Sequence, residues 1–279
     1  MTGYSPQTIE ELELQAAVVR KTLLQMIHEA RSGHPGGSLS AADMMTALYF
    51  YEMRVDPANP KWEDRDRFVL SKGHVCPVLY TALMLRGFFP MEEVHNLRKK
   101  GSILQGHPDM KRTPGVDIST GSLGQGLSTA VGMAIAAKRD GRKLRVFVML
   151  GDGECNEGQI WEAAQSASKY QLDNLIVLVD NNTLQNDGTC DAIMPTLDLA
   201  TKFKAFGFDV LEIDGHSMEA IVAALCATRQ EGIRPRCIVA HTVKGKGVSF
   251  MENVVMWHGM APDAAQYAQA IREIDRVLE

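Results

Sequence analysis

Two stretches carry most of the architecture: Leu144-Arg145-Val146-Phe147-Val148-Met149-Leu150 running into Gly151-Asp152-Gly153-Glu154, and Leu175-Ile176-Val177-Leu178-Val179 running into Asp180-Asn181-Asn182-Thr183-Leu184. Each is an apolar run of strand length that stops at a polar tip, and the segment between them, Gln159 to Tyr170, carries a helical pattern. Near-continuous apolar strands joined by a helix indicate parallel neighbours covered on both faces, because a strand with one face in water would alternate. A right-handed crossover then sets the two tips side by side.

The same alternation extends outward. Arg67 to Leu70, Phe208 to Ile213 and Cys237 to Thr242 are further strand-length runs, and Leu197 to Ala205 and Met218 to Gln230 are further helical segments. The N-terminal part predicts a helix from Ile9 to Ala30 that ends before Ser32-Gly33. A second runs from Ser40 to Tyr51, with Ser40 as N-cap and Asp43 at the third helical position. Others span Val78 to Leu85, the alanine-rich Ala130 to Lys138, and Pro262 to Leu278. The fold class is therefore α/β: a doubly wound, mostly parallel sheet with helices on both faces. No repeat, low-complexity linker or composition break divides residues 1–279, so a single domain is expected.

Ligands of such sheets bind in the crevice beyond the carboxyl ends of the strands. There Asp152 offers a carboxylate, Asn182 an amide oxygen and Leu184 a loop carbonyl. Hard oxygen donors of this kind suit Mg²⁺ or Ca²⁺, and so few of them leave coordination positions for phosphate oxygens and water. Gly151 and Gly153 let backbone and anion approach closely, and the helix beginning near Glu157-Gly158 aims N–H groups at that anion. A lone Gly-Asp-Gly is a common turn without any ligand. Its pairing with Asn181-Asn182 one strand later is what points to a site.

Composition narrows the class. The 279 residues are 45% hydrophobic and 23% charged, which excludes disordered, collagenous and coiled-coil chains. Lys and Arg total 29 against 34 Asp and Glu, and no basic cluster is longer than Arg98-Lys99-Lys100, so a dedicated nucleic-acid binder is excluded. Cys76, Cys155, Cys190, Cys226 and Cys237 form no C-x-x-C pair, against a disulfide framework or a zinc ribbon and in keeping with a reducing cytoplasm. The N-terminus lacks the charged start and apolar block of a signal peptide, and no apolar run approaches the ~18 residues of a membrane helix. A cytoplasmic protein with no membrane partner is expected. A dinucleotide enzyme does not fit, since no G-x-G-x-x-G follows an early strand.

The Gly-Asp-Gly and Asn-Asn pairing is similar to the thiamine diphosphate binding motif, and Gly151 to Gly158 resembles its transketolase form. The resemblance covers nearly the whole chain, through Ser32-Gly33-His34-Pro35-Gly36-Gly37, Ser71-Lys72-Gly73-His74, Gly106-His107-Pro108, Thr120 to Gly126 and Trp257-His258-Gly259. It implies the diphosphate-binding (PP) type of thiamine fold, with thiamine diphosphate and Mg²⁺ (or Ca²⁺) as cofactors. It implies Asp152, Asn182 and the Leu184 carbonyl as metal ligands. By the same resemblance His74, Gly121, Ser122, Leu123, Gly153, Glu154, Asn182, Lys244 and His258 line the cofactor. His34, His74, His107 and His258 become the catalytic imidazoles, and Glu157 joins a relay between paired active sites. Imidazoles suit the reaction, because cleaving a ketose beside its carbonyl removes a hydroxyl proton and re-forming the bond returns one near neutral pH.

Plain structural roles compete for the remaining residues. His28, His95 and His216 are assigned as hydrogen-bonded structural groups, and His241 is left unassigned. Cys155 has no His and Asp partners nearby in sequence, which argues against a nucleophile. Met44-Met45 reads as core filler, and Gly121 to Gly126 also fits a tightly packed helix start.

In the transketolases that the sequence resembles, this region is followed by a pyrimidine-binding domain and a third domain. A glutamate of the former promotes ylid formation, and its arginines hold the sugar phosphate. The resemblance here ends just after His258, with one helix beyond it. The expectation is thus the N-terminal subunit of a split transketolase, moving a two-carbon ketol unit from a ketose phosphate to an aldose. Its partner would be a separate C-terminal subunit in an α2β2 heterotetramer, with the cofactor at the interface. The alternatives are a deoxyxylulose-phosphate synthase-like subunit, a 2-oxo-acid dehydrogenase E1 alpha-like subunit, or a non-catalytic module that retains the fold. Gly33-His34-Pro35 with Gly106-His107-Pro108 favours the transketolase set, because polyhydroxylated substrates need several hydrogen-bonding imidazoles.

Overall fold

The computed structural model describes residues 4–278. Five parallel strands make one sheet: β1 (Arg67–Leu70), β2 (Val146–Gly151), β3 (Leu175–Asn181), β4 (Asp209–Asp214) and β5 (Arg236–His241), in the order β1-β2-β3-β5-β4. The register sets Gly151 opposite Asp180 and Asn181 opposite His241, so β2, β3 and β5 end level. That shared edge is where the polar tips collect.

Alternate strand residues feed two separate cores, which is why the central strands are apolar throughout. Phe68, Phe147, Met149, Ile176, Leu178 and Ile238 join one cluster with α1 (Pro6–Ala30), α3 (Ala42–Ala47), α4 (Cys76–Leu85), α9 (Met218–Ala227) and α10 (Ala264–Leu278). Val69, Val148, Leu150, Val177, Val179 and Val239 join the other with α5 (Gln125–Arg139), α6 (Gly158–Lys169) and α8 (Leu199–Ala205). The sheet is covered on both faces as expected. The edge strand β4 departs from the expectation of a buried apolar run: it is largely exposed, Leu211 reaching 40%. With β5 on one side only, its outer row meets water, and its sequence accommodates this with Asp209, Glu212 and Asp214.

The expected helix from Ser40 to Tyr51 is broken differently. Pro35 opens a short helix, α2 (Pro35–Ser40), α3 follows after Ala41, and the chain continues as a π-helical turn over Leu48–Glu52. Ser40 is the last residue of α2 and not an N-cap, and Asp43 is the second residue of α3. The reason is tertiary: the Ser40 hydroxyl is drawn to buried Asp180 at 2.5 Å, and Asp43 to Arg20 of α1. α7 (Cys190–Ile193) is a single turn in the loop after β3, capped by the Thr189 hydroxyl.

α5 crosses the end of β1 at very short range, and Gly126 makes this possible. A Cβ there would stand 2.6 Å from Ser71 Cβ and 2.7 Å from its Cα. Helix propensity alone would have Gly126→Ala stabilise by up to about 1 kcal/mol. Overpacking against a backbone atom outweighs that gain, at about 1–3 kcal/mol. The variant is expected to unfold at lower urea concentration than the parent, and a midpoint at or above the parental one would show that α5 can shift outward.

Candidate active site

The level strand tips enclose a cavity of about 440 Å³ on the carboxyl edge of the sheet. Its wall draws on the segments after β1 (Lys72, His74), after β2 (Asp152 to Glu154), after β3 (Asn182 to Asn186) and after β5 (Lys244, His258). Asp152, Gly153, Glu154, Glu157, Asn182, Leu184, Lys244, His74, His258 and Leu123 all line it. His34, His107, Gly121 and Ser122 stand outside that wall. His34 packs edge-on against His74 and His258, with ring centroids 5.2 and 5.5 Å apart. His107 is exposed and lies against Gly121, whose φ of +150 favours glycine and where a Cβ would stand 3.0 Å from the ring.

Asp152 is 2% exposed and accepts N–H groups from Gly153 at 2.7 Å and from Thr183. Burial, then the charge of Asp180, nevertheless hold its carboxyl up to about 6. It is a buried anion short of positive charge. Asn182 Oδ1 accepts one N–H, from Leu184 at 3.2 Å, which leaves its second lone pair. The Leu184 carbonyl accepts the Lys244 ammonium at 2.8 Å. One carboxylate, one amide oxygen and one carbonyl, the last already in contact with a cation, fit a hard divalent ion that completes its shell with phosphate oxygens and water. Among the described residues no cluster of three His, Cys, Asp or Glu side chains competes for a metal.

Positive charge is placed at the same edge. Lys244 is 2% exposed, and its ammonium meets the carbonyls of Leu184 and Gln185 and Nδ1 of His258 at 2.9 Å. Carbonyls solvate this charge without neutralising it, and burial draws Lys244 down to about 8. An anion is the complement. Because the ammonium donates to His258 Nδ1, the ring carries its proton on Nε2 and is neutral. Burial, then Lys244, lowers His258 to about 4; burial, then Arg98, lowers His34 to about 4; burial, then Lys72, lowers His74 to about 2. His34 Nδ1 is buried with no hydrogen-bond partner.

Glu154 touches the cavity, but its carboxylate is committed to the Ser71 hydroxyl at 2.5 Å and the amides of Gly124 and Gly151 at 2.9 and 3.1 Å. It holds the β1, α5 and β2 ends together. Residues the sequence reading missed are Lys72, Asp180, Gln185, Asn186 and Met194. Lys72 had a signal, since it lies inside Ser71-Lys72-Gly73-His74. Met194 had none, because only the fold of the Thr183–Asp198 loop brings it to the wall. The histidines set aside as structural are so placed: His28 bonds the Pro262 carbonyl, His95 bonds Glu29, and His216 bonds Asp43. Cys155 is buried, with its thiol on the Gly151 carbonyl.

Residues 13–274 match the family model for the thiamine diphosphate binding domain of transketolase. The chain belongs to the transketolase family. It is 45% identical over 271 residues to one subunit of the apulose-4-phosphate transketolase of Phocaeicola vulgatus, covering 97% of this chain and 96% of that one. It is also 45% identical over 266 residues to the 6-deoxy-6-sulfo-D-fructose transketolase subunit SqwG of a Clostridium species, covering 95% and 97%. The crystal structure of Campylobacter jejuni transketolase superposes with a TM-score of 0.90 at 34% identity, over 95% of this chain and 42% of that longer one. Thiamine diphosphate is the cofactor of this transketolase domain, and the oxygen donors and the buried ammonium fit it.

The three buried imidazoles set an acid limit. Between pH 6.5 and about 4 an unfolded chain binds protons at His34 and His258 that the folded chain refuses, and for His74 the window extends to about 2. The histidines' contribution to stability is therefore full above pH 6.5 and falls as pH drops, with a slope up to roughly 1.4 kcal/mol per pH unit for the most buried ring. Urea midpoints at about pH 7.5 and about pH 5 should differ, and His74→Asn should shrink the difference. An unchanged difference would mean that His74 titrates normally.

Proposed function

We propose that this chain is the diphosphate-binding subunit of a two-chain transketolase, working together with a separate pyrimidine-binding subunit. The observation that carries the reading is the convergence, in one cavity, of a cation-seeking oxygen triad and an unneutralised buried ammonium beside neutral imidazoles. The relatives that match this chain end to end are named as subunits, whereas the Campylobacter enzyme is more than twice its length. An α2β2 assembly brings two such cavities to partner subunits. Ketose phosphates or ketose sulfonates are the donor class, in line with the relatives' names.

In this reading Asp152, Asn182 and the Leu184 carbonyl hold Mg²⁺ or Ca²⁺ against a diphosphate, and Lys244 supplies the second positive charge. Gly153 keeps the wall low, since a Cβ there would meet the Gln185 side chain at 2.9 Å. Leu123 and His74 flank the ring system, with Gly121 and Ser122 behind them. Thiamine diphosphate supplies, when bound, the electron sink for the two-carbon unit. His34, His107 and His258 bind sugar hydroxyls; His34 and His107 take up the donor's hydroxyl proton as its carbon–carbon bond breaks and return one to the acceptor's oxygen as the new bond forms, while His258 donates a hydrogen bond from Nε2. A bound diphosphate raises their proton affinity from the depressed values above toward the working range. Glu157, exposed at the head of α6, takes the part of the relay between paired active sites in this reading.

Two outcomes are expected. The isolated chain should give no ketol transfer, and mixing with the subunit encoded beside it should restore turnover; appreciable activity of the chain alone would overturn the two-chain reading. Asp152→Ala and Asn182→Ala should each weaken thiamine diphosphate uptake by the assembled complex ~100-fold or more in calorimetry with Mg²⁺, beyond the usual effect of outer-shell changes. Unchanged uptake would remove the metal triad from the site.

A further inference from the structure

A buried charge cluster behind the cavity wall has no part in the site described above. Asp43 of α3 is 7% exposed and receives a two-point ion pair from Arg20 of α1, at 2.9 Å to Oδ1 and 2.5 Å to Oδ2. Asp43 Oδ2 also meets His216 Nδ1 at 2.8 Å. His216 sits in the turn after β4, where its own N–H bonds Asp214. Its other ring nitrogen, Nε2, accepts the backbone N–H of Val243 at 2.8 Å. An amide N–H can only donate, so Nε2 must carry a lone pair and the ring proton must lie on Nδ1, directed at Asp43. The bonding pattern alone makes His216 a neutral, oriented imidazole.

The same cluster grips the other end of this turn. Arg20 Nε donates to the Lys246 carbonyl at 3.2 Å. Val243 and Lys246 are thus both tied to the Asp43 carboxylate, one through His216 and one through Arg20. Lys244 lies between them. The turn is further hemmed by the Gly245 N–H on the Gly36 carbonyl at 3.0 Å and the Asn253 N–H on the Lys244 carbonyl at 2.9 Å. Gly245 has φ +85, and a Cβ there would run into the Met251 carbonyl, so the turn has little room to relax another way. A lysine side chain has several rotatable bonds, and its ammonium reaches Leu184 and His258 together only from a backbone held in place.

We infer that His216 and Asp43 are positioning residues for the coenzyme site, acting through the Val243–Lys246 turn to aim the Lys244 ammonium at the anion. This rests on the thiamine diphosphate reading of the cavity. Neither residue lines the cavity or touches the coenzyme; their effect passes through Lys244. A second-layer group of this kind typically affects affinity about 10-fold to 100-fold.

The test is a double-mutant cycle in the complex assembled with its partner subunit, reading the dissociation constant of thiamine diphosphate with Mg²⁺ by calorimetry. His216→Phe and Lys244→Met should each weaken binding by about 10-fold or more, and the double variant should bind no more weakly than Lys244→Met alone. His216→Gln keeps one donor and one acceptor and should recover most of the affinity. In kinetics the loss should fall on the coenzyme constant more than on kcat. Effects that multiply in the double variant, or a His216→Phe complex with parental affinity, would overturn the relay. Should His216→Phe fail to fold by thermal melting, the cycle is run with Asp43→Asn, which presents a donor to either Arg20 or His216 and carries the same expectation. A parental complex that takes up no thiamine diphosphate would instead overturn the coenzyme reading; parental uptake with independent effects overturns the relay alone.

Discussion

The geometry of this molecule hangs on a buried carboxylate at the end of the third strand. Asp180 is fully buried and is met by the Lys72 ammonium, the Ser40 hydroxyl and the Thr242 hydroxyl. Those partners come from the segment after β1, the end of α2 and the residue after β5. One charge therefore ties together the pieces of chain that build the cavity, and Lys72 chiefly holds that carboxyl below its ordinary range despite burial. Removing one member of such a buried pair costs about 3–5 kcal/mol, because the other charge is left without compensation. It also explains why the N-terminal helix breaks at Ser40: capture of that hydroxyl prevails over a longer helix.

A second consequence follows for Asp152. It lies across the strand tips from Asp180, and the two carboxylates share one cationic neighbour in Lys72, which Asp180 engages directly. Asp152 is thereby left without a direct cationic partner, and burial, then the charge of Asp180, raises its proton affinity. Lys244 is in the complementary condition, an ammonium solvated by carbonyls. A folded chain that keeps an undercompensated anion and an undercompensated cation in the wall of one cavity loses some stability. It gains electrostatic complementarity to a ligand that carries a cation and an anion together, as a metal diphosphate does.

Much of this was legible in the residues. The apolar runs ending at Gly151 and Asp180, with a helical pattern between them, were enough for a parallel sheet, and all five strands fall where the runs were read. That Asp152, Asn182 and Leu184 meet at one cavity was legible because neighbouring parallel strands end level. The exposed edge strand was not, since an apolar-polar mixture such as Asp209-Val210-Leu211-Glu212 looks alike at an edge and beside a neighbour. The broken helix near Ser40 was not, because its cause sits 140 positions away in sequence. That Glu154 lines the cavity while three hydrogen bonds tie its carboxylate to Ser71, Gly124 and Gly151 emerges only from the packing.

Residue order alone sufficed for the sheet and the family, because these depend on periodicity and on residue types concentrated in short contiguous blocks. Which charges compensate one another emerged only on folding: Lys72 with Asp180, Arg20 with Asp43 and His216, and Lys244 with neither carboxylate directly. A charge pair is set by distance and burial, and both arise from the packing of segments far apart in the chain. The same packing turns three histidines from scattered motif residues into one neutral cluster with an unsatisfied nitrogen at its edge.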